Sequence, residues 1–170
     1  MKSAGHLGQP KAMHDLLLYR LASLSRVGGA PMVRVCEGQY NITRREWRVL
    51  GAVVENPGIS PSEVADRVFL DRARASKAVG CLVDKGLLLR KPKPGDARHA
   101  TLIPTEKGQQ LYQELLPVVA QHNQALLAVL SQAEVSSLEM MLSKLQNQAQ
   151  QLQSSIQHLP KTQRGARQAG

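Results

Sequence analysis

Arg72, Arg74 and Lys77 lie close together near the start of one segment, and Asp96 and Arg98 stand two apart in another. Neither set has the make-up of bond-making chemistry. Cations gathered at the beginning of a helix instead offer charge and hydrogen-bond donors to a polyanion. Between residues 67 and 98 there are nine Lys or Arg against three Asp, a net +6 within a chain whose total is +9. The sequence pI of about 10.0 favours the same kind of partner, a nucleic acid or an anionic membrane surface. A charge run alone reads as readily as a solvated face, so its placement on secondary structure has to decide.

Other chemistries find little support. The histidines 6, 14, 99, 122 and 158 are scattered, with none at metal-ligand spacing from another or from a cysteine. No G-x-S-x-G elbow, phosphate-binding glycine loop or Cys-x-x-Cys occurs, so neither enzymatic activity nor a cofactor is expected. Cys36 and Cys81 are too few and too far apart for a disulfide framework. No apolar run approaches the roughly 20 residues that span a bilayer. MKSAGHLGQPKA lacks the apolar segment of a secretory signal, which makes the cytoplasm the expected compartment and a membrane partner unexpected.

The basic residues are carried on recognisable elements. DRARASKAVGCLVDKG opens on Asp71 as a helix N-cap and closes on Lys85 and Gly86. Ala75, Ala78, Val79, Leu82 and Val83 give it one apolar face, leaving Arg72, Ala73, Arg74, Ser76, Lys77 and Gly80 on the other. Two short apolar runs follow, Leu87 to Leu89 and Ala100 to Ile103, joined by Pro92, Pro94 and Gly95, which reads as a hairpin with a basic tip. Upstream, Thr43 with Glu46 and Ser60 with Glu63 are capping boxes, the first starting a helix that turns Trp47, Leu50 and Val54 inward. Phe69, a lone aromatic at the turn into the basic helix, is expected to plug the space between helices.

The flanks are helical as well. Residues 13 to 27 carry a broad stripe of Leu17, Leu21 and Leu24, interrupted at Gly28, Gly29 and Pro31 before a further turn or two. A helix from Thr105 to about Ala128 contains Pro117, and Ser131 with Glu134 caps a last helix rich in leucine. That much leucine on terminal helices suggests pairing with a second copy. An arginine such as Arg34, set among Met32, Val33, Val35 and Cys36, would need an anion if buried, either Glu37 or a ligand carboxylate. A surface position, or a pair with Glu37, is the commoner outcome.

TRREWRVL (43 to 50), SPSEVADRV (60 to 68), LDRARASKAVGCLVDKGLL (70 to 88) and GDARHATLIPTEKG (95 to 108) together resemble the winged helix-turn-helix of the MarR family of bacterial transcription regulators. The last stretch is similar to the family's D-x-R wing followed by Leu-x-x-Thr-x-x-Gly, with Asp96, Arg98, Leu102, Thr105 and Gly108 in register. The resemblance implies a mainly α fold with a small β-hairpin wing, a winged helix-turn-helix with N- and C-terminal dimerisation helices. The layout expected is a disordered start (1–12), an N-terminal dimerisation region (13–40), the DNA-binding domain (41–108), C-terminal dimerisation helices (109–158) and a disordered basic tail (159–170). It also implies a ligand-responsive homodimeric repressor on a palindromic operator in double-stranded DNA, with a small-molecule effector, often an aromatic acid, for which Arg34 is the candidate ligand. Candidate DNA contacts are Ser60, Ser62, Arg72, Ala73, Arg74, Ser76, Lys77, Lys91, Lys93 and Arg98, with Asp96 organising the wing. Two alternatives stay open: an oxidant-sensing regulator using Cys36, against which a buried inert thiol is favoured, and a winged-helix module that binds protein or RNA.

The wing gives the first test. An acid in a basic tip opposes phosphate binding unless it organises the turn or holds Arg98, whose side chain the resemblance places in a minor groove. Arg98→Ala should lessen the salt slope of DNA binding by about 0.9 for each phosphate that is no longer neutralised. Asp96→Ala should weaken binding despite the gain in net charge; tighter binding at low salt would show that Asp96 only repels.

Overall fold

The computed structural model of the chain describes residues 7–93 and 95–155, without the side chains of residues 93 and 97–99. The first six residues and the basic tail expected to be disordered lie outside the described residues, as do the side chains of Lys93 and Arg98. The elements run α1 (Leu17–Gly28), α2 (Ala30–Gly38), α3 (Arg44–Glu55), α4 (Pro61–Arg67), α5 (Arg72–Asp84), β1 (Leu88–Lys93), β2 (Asp96–Pro104), α6 (Glu106–Leu127) and α7 (Gln132–Ser155), with a 3₁₀ turn at Met13–Asp15. The chain packs as two units, one through Leu126 and one from Leu127 that contains α7.

At the N-terminus the expected single helix from residue 13 begins instead with the 3₁₀ turn. Asp15 closes it by accepting from the backbone amides of Lys11 and Ala12 at 3.0 and 3.1 Å. The break at Gly29 is as anticipated, with α2 resuming at once and carrying Pro31 in its first turn.

All three capping boxes form. Thr43 Oγ1 accepts from the Glu46 amide while the Glu46 carboxylate accepts from the Thr43 amide; Ser60 with Glu63 and Ser131 with Glu134 repeat the arrangement. The core of the first unit is aliphatic. Val49, Leu50 and Val53 of α3, Val64 of α4, Val79 and Leu82 of α5, Leu88 and Leu102 of the hairpin and Leu115 of α6 are all essentially inaccessible. Of the residues expected inward on α3 only Leu50 is fully buried. Trp47 and Val54 are half-buried at the edge, and Trp47 stacks on Tyr112 of α6 with ring centroids 5.1 Å apart.

The hairpin is longer than the two apolar runs suggested. β1 pairs antiparallel with β2 from Leu88 opposite Pro104 to Pro92 opposite Ala100, then shifts so that Lys93 faces Asp96. Gly95 at the tip has φ +80°, where a side chain would be strained. Leu102, opposite Arg90, turns its own backbone outward from the hairpin, accepting from the Gly58 amide at 2.8 Å and donating to Ile59 O at 2.9 Å. The wing is therefore stitched to the loop before α4.

α5 ends in a Schellman motif, with Gly86 at φ +67° and amides of Gly86 and Leu87 returning to Val83 and Leu82. Thr105 then clasps this end. Its amide donates to Leu87 O at 3.1 Å, its hydroxyl donates to Gly86 O at 2.8 Å and accepts from the Gly108 amide at 3.0 Å. A Cβ on Gly108 would overlap Leu87 O, so glycine alone permits α6 to start there. Thr-x-x-Gly is thus the joint between α5, wing and α6.

A second tie joins α3 to the end of α5. Glu46, only 6% exposed, receives the Lys85 ammonium at 2.8 Å, and Lys85 also donates to Asn41 O at 2.8 Å. Burial by itself would raise the Glu46 pKa. The Lys85 hydrogen bond and charge and the Thr43 amide outweigh it and hold the carboxyl below its usual value. A depressed folded pKa gives stability that is complete above the unfolded value near 4.3 and is lost as pH falls through the folded one. Glu46→Gln should accordingly flatten the fall in melting temperature between about pH 6 and about pH 3. Lys85→Ala should cost about 1 to 3 kcal/mol near neutrality and less at the acid end.

Candidate nucleic-acid interface

α5 sorts its side chains by the 3.6-residue period. Ala75, Ala78, Val79 and Leu82 are buried against α3 and α4, while Arg72, Ala73, Arg74, Ser76 and Lys77 are exposed. The outer face is cationic over its first two turns. Gly80 lies on the same side, and a Cβ there would meet nothing within 4 Å, so it is not a contact point for another helix of this unit. Asp71 begins the helix with Oδ1 accepting from the Arg74 amide at 2.8 Å, and its Oδ2 lies 3.1 Å from Arg74 Nε. Ser62 is exposed at the start of α4, and Ser60 beside it, half-buried, accepts from the Glu63 amide at 3.3 Å. Arg90 and Lys91 project from β1 in the open. These serines and the cations of α5 and β1 therefore all belong to one unit, on successive elements.

Phe69 is not a plug. It is 82% exposed and has φ +52°. The cause is the turn. Its amide returns to Asp66 O at 3.2 Å and that of Leu70 to Ala65 O at 2.9 Å, a Schellman pattern with phenylalanine where glycine usually stands. Left-handed backbone at a non-glycine residue costs about 1 kcal/mol or more and directs this Cβ outward. Arg48 assists the turn by donating to Val68 O.

A cation not singled out from the sequence, Arg44, lines an apolar cavity, while Arg34 takes the surface position that was the commoner expectation. Arg34 is exposed on α2. Arg44 lines a cavity of about 400 Å³ with Leu21, Leu24, Met32, Val119, His122 and Leu126 among its walls. A Cβ on Gly29 would overlap Arg44 Nη1, so the glycine at the α1–α2 break is what lets the guanidinium lie there. His122 Nε2 meets Gly28 O at 2.6 Å, leaving Nδ1 unspent by that bond. Sequence reasoning misses Arg44 because it looks like an ordinary first helical residue. Its signal is electrostatic: Arg44 and Arg45 stand in the first turn of α3, where the helix dipole disfavours cations. Cys36 is 1% exposed, and burial pushes its thiol pKa up although the Arg44 charge partly offsets this. Cys81 is half-buried.

Comparison with known proteins agrees with this architecture. The model of the MarR family matches residues 40–99. A protein of Thauera aromatica described as a putative transcriptional regulatory protein for the hcr operon is 30% identical over 115 residues, covering 68% of this chain and 69% of that one. The transcriptional repressor MprA of Escherichia coli is 33% identical over 101 residues, 58% of this chain and 56% of MprA. Among solved structures, the PcaV transcriptional regulator from Streptomyces coelicolor in complex with its natural ligand superposes with a TM-score of 0.67 at 27% identity, covering 84% of this chain and 96% of that one.

The two cations of α5 should behave differently. Arg74→Ala is expected to lose about 1 to 3 kcal/mol on a specific site and to relax base preference, whereas Lys77→Ala should weaken all duplexes alike. Equal losses on specific and random DNA for both variants, measured by fluorescence anisotropy, would refute the division.

Proposed function

Because the chain belongs to the MarR family of transcriptional regulators, we propose that it is a homodimeric repressor. It holds a palindromic operator with two copies of α5 and releases it when a small aromatic carboxylate enters the cavity beside Arg44. The observation that carries the DNA-binding part is the division of α5, an apolar face turned into the core and a cationic face left open at the N-terminal end, from which such helices address base edges. Ser60, Ser62, Arg72, Ala73, Ser76, Lys91, Lys93 and Arg98 take phosphates and flanking grooves around it.

Dimerisation is supported by uncovered apolar side chains at both ends. Leu18, Leu24 and Val27 of α1, and Met140, Met141, Leu145 and Leu152 of α7, are exposed in the single chain. Two recognition helices on one dimer reach successive major grooves about 34 Å apart. Release needs a form with another spacing that binds the effector better, since a ligand shifts the equilibrium only by its preference between forms. The cavity beside Arg44 suits a flat acid, with a guanidinium for the carboxylate, His122 and Asn123 for hydroxyls and leucines for the ring. Burial of Cys36 counts against the oxidant-sensing alternative, because an inaccessible thiol with a raised pKa is a poor nucleophile.

Selection of bound duplexes from fragmented genomic DNA, followed by footprinting, should recover inverted repeats protected on one face. A footprint without two-fold symmetry, or preference for RNA over duplex DNA, would overturn the reading. Removing residues 1–27 should cost dimerisation and operator binding together, as read by sedimentation and anisotropy. A panel of benzoate-like acids should contain one that raises the melting temperature, equivalent to about 2.7 kcal/mol at a hundred times its Kd, with the rise absent in Arg44→Ala.

A further inference from the structure

Asp71 is an ordinary cap for a helix but an unexpected residue for a face that would meet DNA. It sits at the N-terminus of α5 beside Arg72 and Arg74, on the side the duplex would approach, and a carboxylate there repels phosphate. Capping does not require it, because serine caps a helix about as well without charge. Nor does stability, because the Asp71 and Arg74 side chains are 55% and 66% exposed and ion pairs that open to water contribute little. What is specific to aspartate is the use of two acceptors at once. Oδ1 takes the Arg74 amide at 2.8 Å and Oδ2 stands 3.1 Å from Arg74 Nε as an ion pair, so one side chain faces the same arginine at its backbone and at the Nε edge of its guanidinium.

We propose that Asp71 is a positioning residue for base selection, fixing Arg74 so that its two terminal NH₂ groups point out of the helix start as a ready fork. The proposal rests on α5 being the helix that reads DNA. With Nε turned inward, the four remaining N–H bonds lie at the outer end of the plane, the geometry that pairs two donors with O6 and N7 of a guanine. An arginine free to wander along the groove would find phosphates as readily as bases. One whose plane is set beforehand loses less freedom on reading a base and gains less from a misplaced phosphate. The acid thus trades general affinity for discrimination.

The test uses the full chain and a genomically selected operator fragment against a random duplex of equal length. The measure is the ratio of the two dissociation constants at one salt concentration. Asp71→Asn and Asp71→Ser each keep one acceptor for the cap and lose the second, so melting temperatures should change little. Both should bind random DNA more tightly, having shed a negative charge, yet show a ratio reduced about tenfold, the scale of a single bidentate pairing with a base. In an Arg74→Ala background the same changes should leave the ratio where Arg74→Ala alone puts it. A native ratio in Asp71→Asn, with both duplexes bound more tightly, overturns the proposal and makes the carboxylate a simple repellent. A tenfold loss that persists without Arg74 also overturns it, by assigning the effect to the helix start. A native ratio in Arg74→Ala removes the premise that Arg74 reads bases, and the proposal falls with it.

Discussion

The carbonyl oxygen of Leu87 is the point on which the arrangement of helices turns. It lies where the Schellman end of α5 passes into β1, and it is met by the Thr105 amide at 3.1 Å while the bare Cα of Gly108 slides past. Three elements, the end of α5, the first strand of the hairpin and the start of α6, are joined within a few ångströms. Any bulk at Gly108 must push α6 off α5. Small movements of α6 are for the same reason transmitted to the end of α5 with little slack, as close-packed interiors bend poorly. The Lys85 to Glu46 bond stiffens the same end from the other side.

Local chemistry makes most of this legible from residue order. Capping boxes at Thr43, Ser60 and Ser131, the Asp71 cap and the Gly86 stop are short-range devices whose partners lie three or four residues away, so spacing suffices to find them. The apolar face of α5 and the site cations on its other face follow from one period. The failures are those of long range. Hydrophobicity alone misjudges Phe69, whose direction is set by the backbone of a turn that normally takes glycine. Arg34 takes the surface position that was the commoner expectation, since on a helix its apolar neighbours along the chain point elsewhere. Arg44, missed in the sequence, lines its apolar cavity because Gly29, far back along the chain, leaves room for it.

Charge in the DNA-binding region is organised rather than merely accumulated. Against a net +6 between residues 67 and 98, Asp71 faces Arg74 at the start of α5. Acids placed among cations in this way shorten the reach of the positive field and replace general attraction with orientation. Among the described residues of this stretch, Arg67, Arg72, Lys77, Arg90 and Lys91 remain as exposed cations outside that pair.

The stacking of Trp47 on Tyr112 carries a practical consequence. The chain has a single tryptophan, and it sits on the seam between α3 and α6, with Gly51 allowing the Tyr112 ring to lie flat and Glu55 holding its hydroxyl at 2.6 Å. That bond and burial push the phenol pKa up to about 12, so the ring stays neutral at any working pH. The indole is half-buried beside an open cleft, and its emission depends on how closely that ring covers it. Natural fluorescence of the unlabelled protein therefore reports optically on the packing of α3 against α6.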